Sequence, residues 1–80
     1  MIGNKVKALL ELTNSNVLKF CEILNVLPPA MYRKLNKNTF KADELIKLAY
    51  LTGTDLAFID KTTGKPVITF DISDIPDKKS

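Results

Sequence analysis

Up to Leu51 the apolar residues recur at helical rather than strand spacing. Val6, Leu9 and Leu10 share one face of a first helix, with Asn4 as its candidate cap. Asn14-Ser15-Asn16 then breaks the pattern with three cap-forming residues. Asn16 is the best N-cap for a second helix, Val17–Leu24, that buries Phe20, Cys21 and Leu24. Asn25 follows it, and asparagine tolerates positive φ better than other non-glycines. Pro28 and Pro29 suit the first turn of a third helix, where a missing N–H forfeits no hydrogen bond. Met31, the stem of Lys34 and Leu35 form its inner edge. Asn36-Lys37-Asn38 ends it, and Phe40 anchors the loop beyond.

A fourth helix is expected over about 42–51, with Leu45, Leu48 and Ala49 as its apolar stripe. Asp43 and Glu44 lie in its first turn, where they complement the helix dipole, and Gly53 fits the position just past its end. After Gly53 the period changes. Leu56-Ala57-Phe58-Ile59 and a second run over 67–72 are rich in β-branched and aromatic residues. A turn-rich connection over 60–65 joins them. Two antiparallel strands are predicted, with Pro66 confining the start of the second to an edge or a turn. Residues 1–72 read as one domain and 73–80 as a disordered tail.

Length and composition narrow this picture. Eighty residues, 45% hydrophobic and 26% charged, allow a single small core. No apolar run approaches the ~18 residues of a membrane span, and the N-terminus lacks the apolar stretch of a secretory signal. The single cysteine, Cys21, cannot form an internal disulfide, so a reducing cytoplasm is the expected compartment. There is no histidine, no cysteine pair and no Gly-rich phosphate loop, so no metal site, cofactor or enzymatic activity is expected. The net charge of +3 matters less than its placement. Arg33, Lys34, Lys37 and Lys41 follow one another with no intervening acid, which suits phosphate binding or merely a solvated basic face.

Met31-Tyr-Arg-Lys-Leu-Asn36, Asp43-Glu-Leu-Ile-Lys-Leu-Ala49 and Leu51-Thr-Gly-Thr-Asp-Leu-Ala-Phe-Ile59 together resemble the Cro-type (XRE) helix-turn-helix family. The likeness is greatest to short phage and mobile-element regulators of Gram-positive bacteria, and it covers about 5–72. It implies a mainly α, four-helix, lambda-repressor-like helix-turn-helix domain with a C-terminal β-hairpin, the helix-turn-helix unit spanning about 16–36. It also implies a small transcriptional regulator that binds double-stranded DNA. In that reading Arg33 reads bases, Tyr32, Lys34, Lys37 and Lys41 lie near phosphates, and Asn16 takes a backbone contact. About four neutralised phosphates per subunit would give a slope of log K against log salt near −3.6.

The chain departs from the family in places. Cys21 stands where a small residue is usual, Asn25 and Asn38 stand for glycines, and Lys41 for a capping serine. The main departure is Leu27-Pro28-Pro29, where the family has a capping Ser/Thr and polar base-contacting side chains; Val17 likewise replaces a polar residue. The triplet has three readings: a rigid helix start, an apolar contact to thymine methyls, or, with Val17, an exposed protein-docking patch. The last would make the chain an antirepressor, a repressor modulator or an inhibitor of a host protein. Ile68, Phe70 and Ile72 along the second strand offer an edge for a homodimer.

Overall fold

Val6, Leu10, Phe20, Cys21, Met31, Leu35 and Leu48 meet in one buried cluster, with Phe20 and Met31 fully excluded from solvent. Each such side chain contributes about 1.5–3 kcal/mol by leaving water. In the computed structural model, which describes residues 1–76, four helices supply this core. They are α1 (Ile2–Leu12), α2 (Val17–Leu24), α3 (Pro28–Lys37) and α4 (Ala42–Thr52). The antiparallel strands β1 (Leu56–Ile59) and β2 (Pro66–Phe70) follow, then a 3-10 turn, Ile72–Asp74. The molecule is thus mainly helical, with a small two-stranded hairpin. Within the bundle α1 packs on α3, and α2 packs on both α3 and α4.

Helix ends follow their local chemistry. Asn16 is extended and its side-chain oxygen accepts the Lys19 N–H at 2.9 Å, which starts α2. Each of the four helices is followed by a left-handed residue: Asn14, Asn25, Asn38 and Gly53, with φ between 57° and 69°. Phe40 lies beyond Asn38 and stacks on Phe20, ring centroids 6.0 Å apart, so the expected loop anchor is in place.

Four expectations are corrected. Asn4 does not cap α1; the helix starts at Ile2, and Asn4 is an exposed residue inside it. The cap comes from elsewhere in the chain, because Asn38 Oδ1 accepts the Gly3 N–H at 2.7 Å. Ile46, outside the expected stripe, is buried with Leu48 and Ala49, because α4 contacts β1 and the 3-10 turn as well as the bundle. The second strand runs over Pro66–Phe70, so Ile72 is not in it. Asp71 stops the strand by accepting the Ser73 N–H at 3.0 Å, and Asp74 accepts the Asp71 N–H at 2.8 Å. Ser73 and Asp74, expected in the tail, therefore belong to an ordered turn; 77–80 lie outside the described residues.

The hairpin pairs Leu56 with Phe70, Ala57 with Thr69 and Phe58 with Ile68. A bulge then sets Ile59 opposite Pro66. Asp60 organises the connection, its side chain accepting the Thr62 N–H at 2.7 Å and its carbonyl the Gly64 N–H at 2.8 Å.

Candidate functional site

The outer side of α3 gathers most of the candidate side chains. Met31 and Leu35 anchor the helix inward, which turns Tyr32, Arg33 and Lys37 to solvent. Ala30, Arg33, Lys34 and Lys37, at spacings of three and four residues, line a shallow depression of about 220 Å³ with Thr39. Lys41 is exposed beyond it, at the start of α4. A basic stripe open to solvent can hold phosphate oxygens with little cost in desolvation.

Two candidates have structural tasks. Lys34 Nζ lies 2.9 Å from Glu44 Oε2, with only 22% and 15% of the two side chains exposed. Glu44 Oε1 meanwhile accepts the Lys41 N–H at 2.9 Å, so one carboxylate both caps α4 and ties α3 to it. The Lys34 ammonium is thereby committed inside the fold, unlike Arg33 and Lys37. Glu44 also gives α4 a firmer start than Lys41 alone implies. Asn16 spends its side-chain oxygen on the Lys19 N–H, leaving its amide NH2 as a donor.

Leu27-Pro28-Pro29 shapes the other end of α3. The Ala30 and Met31 N–H groups both donate to the Leu27 carbonyl, at 3.0 and 3.2 Å, and the prolines have no N–H. The first turn of α3 thus has no free N–H to offer an anion, in contrast to an ordinary helix start. Leu27 is 76% exposed and Leu18 is 62% exposed. They flank a groove of about 460 Å³ between α2 and α3, also lined by Cys21, Glu22, Val26 and Pro28. Val17 does not join it. Val17 is half-buried against the core and borders a separate depression with Lys7, Glu11 and Asn16. The apolar patch is therefore Leu18 with Leu27 and Pro28, while Pro29 is exposed alongside. Leu18 escaped the sequence pattern because it lies off the Phe20–Cys21–Leu24 face; an apolar residue off the stripe is the signal that could have found it.

Cys21 sits in the core at 4% exposure. Burial pushes its thiol up from the ordinary range, its own backbone hydrogen bond opposes this, and Glu22 adds to the rise. A thiol held protonated this way is a poor nucleophile.

The expected dimer edge is rearranged. Ile68 lies on β2, Phe70 is half-buried edge-on to Phe58 at 5.9 Å, and Ile72 has moved into the turn against α4. The exposed apolar residues of the hairpin are Phe58, Ile59, Val67 and Ile68. No helix among the described residues is long and apolar enough to cross a membrane. Comparison with protein-family models, curated proteins and solved structures gave no match to this chain.

Proposed function

We propose that the chain is a small DNA-binding transcriptional regulator of phage or mobile-element repressor type, in which α2, the turn 25–27 and α3 act as a helix-turn-helix. The reading rests on one observation above all: α3 turns Tyr32, Arg33 and Lys37 outward while Met31 and Leu35 fix it to the core. With α3 in the major groove, Arg33 is the base reader. An arginine bidentate to guanine is worth about 1–3 kcal/mol of discrimination. Tyr32, Lys37, Lys41 and the Asn16 amide contact the phosphate backbone, which positions the helix without reading sequence. Lys34 supports the helix through Glu44 and adds no phosphate contact. Leu27 and the prolines contribute shape and apolar contact only, so the specificity is narrow and centred on Arg33.

The direct test is selection of bound fragments from random duplex DNA, followed by titration of the enriched site. Arg33→Ala should weaken the selected site by roughly 1–3 kcal/mol and leave unrelated duplexes nearly unaffected. Lys37→Ala should weaken all duplexes alike. Failure to enrich any sequence, with wild-type protein folded, would contradict the proposal.

A second reading is favoured by the groove between α2 and α3, whose rim leucines, Leu18 and Leu27, are largely exposed. It makes the chain a protein-interaction module, an antirepressor or an inhibitor of another regulator, docking an apolar helix there. Leu27→Asp distinguishes the two. It abolishes capture of a specific protein partner under the second reading; under the first no such partner is recovered and only DNA affinity falls.

A further inference from the structure

The first turn of α3 presents carbon where hydrogen-bonding groups would be needed to read most base edges. Leu27 is 76% exposed and Pro29 is exposed beside it, and neither side chain carries a donor or an acceptor. Nor does the backbone supply a donor: Pro28 and Pro29 lack an N–H, and the Ala30 and Met31 N–H groups donate to the Leu27 carbonyl. Pro29 and Arg33, both exposed, are four residues apart on α3 and so share one face of it. We infer that Leu27 and Pro29 read the 5-methyl group of a pyrimidine close to the guanine that Arg33 reads. Affinity then follows the presence of that methyl, on thymine or on 5-methylcytosine. The inference rests on α3 entering the major groove as proposed above.

Base chemistry leaves this group and no other. In the major groove guanine shows O6 and N7, adenine N7 and the N6 amine, cytosine the N4 amine, and thymine O4 and a C5-methyl. Only the methyl is apolar. Carbon pressed on any of the others strips water from a donor or acceptor and returns no hydrogen bond. The surface that favours a methyl therefore disfavours the remaining edges. A 5-methylated cytosine carries its methyl at the same ring position as thymine, where uracil and unmodified cytosine carry hydrogen. The prolines hold the first turn near helical φ before any DNA arrives, so little backbone freedom is lost when the contact forms. Spacing sets where the methyl lies. At about 1.5 Å per helical residue, Pro29 and Arg33 are about 6 Å apart along α3, roughly two base steps of about 3.4 Å. The methyl and the guanine thus lie within about two base pairs of each other. One buried methyl corresponds to roughly a fourfold change in affinity.

Base analogues test this without altering the protein. The probe is the duplex enriched by selection from random DNA, with each thymine replaced in turn by deoxyuridine, which removes the methyl alone. Fluorescence anisotropy reads the affinity. At one or two thymines within about two base pairs of the guanine, deoxyuridine weakens binding roughly fourfold per methyl; elsewhere the change stays under about twofold. Exchanging such a T·A pair for C·G weakens binding further, and 5-methylcytosine in that pair recovers roughly fourfold. With Leu27→Ala and Pro29→Ala combined, folding checked by circular dichroism, the thymine-to-deoxyuridine ratio falls below about twofold. A site whose guanine still depends on Arg33, yet whose thymines all tolerate deoxyuridine, would overturn the inference and leave the DNA-binding proposal standing. A methyl effect unchanged in the double variant would also overturn it, since the methyl would then act through duplex stiffness. Failure to enrich any sequence removes both the proposal and the inference.

Discussion

Asn25 and Asn38 share a backbone conformation, φ 58° and 57°, and differ in what their side chains do. Asn25 only closes α2, whereas Asn38 closes α3 and also receives the Gly3 N–H, which fixes the start of α1 against α3. Gly3 completes that junction, because a Cβ there would overlap the Leu35 carbonyl oxygen. Asn25→Gly should therefore change stability by less than about 0.5 kcal/mol, relief of left-handed strain offsetting the looser unfolded chain. Asn38→Gly should lower it by about 1–2 kcal/mol through loss of the cap. Urea denaturation of both variants separates the two; equal stabilities would mean that the Gly3 bond contributes nothing. The left-handed turns were legible because asparagine at a helix end has few other uses. The cap was not, because 35 positions separate donor from acceptor and no local pattern joins them.

At the scale of elements, α3 and α4 are coupled through Glu44. Glu44→Ala removes the Lys41 N–H acceptor and strands the half-buried Lys34 ammonium, and should lower stability by about 1–2 kcal/mol. Lys37→Ala, on the solvated part of the same helix, should alter it by under about 0.5 kcal/mol. Thermal unfolding checks the contrast, and comparable losses would show that the ion pair is not structural. Helices two to four and the first strand were legible because caps, prolines and a change of period mark them. The second strand was overextended to Ile72, since an apolar alternation gives no warning of the Asp71–Ser73 turn that stops it. Ile46 was missed for a related reason. A single stripe assumes one packing partner, and α4 has a bundle on one side and the hairpin base on another.

Across the whole molecule, the basic stripe of α3 and the apolar hairpin lie outside the packed core, as does the Leu18–Leu27 groove. Composition and charge order pointed to the first, although the pairing of Lys34 with Glu44 reduces the cations available to a polyanion from four to three, Arg33, Lys37 and Lys41. The second was legible only as an edge, because strand periodicity gives no sign that Phe58, Ile59, Val67 and Ile68 on both strands stay exposed. That three cations on and beside α3 meet DNA phosphates or bases is the claim on which the functional account stands. The salt dependence of duplex binding, followed by fluorescence anisotropy, measures it most directly. A slope of log K against log salt of about −1.8 per subunit is predicted, from about −0.9 for each of the two lysines on phosphates, Lys37 and Lys41, becoming shallower by about 0.9 with Lys37→Ala. With Lys34→Ala, measured under conditions where that variant remains folded, the slope should be unchanged. Binding indifferent to salt, or a slope that changes with Lys34 and not with Lys37, would contradict it.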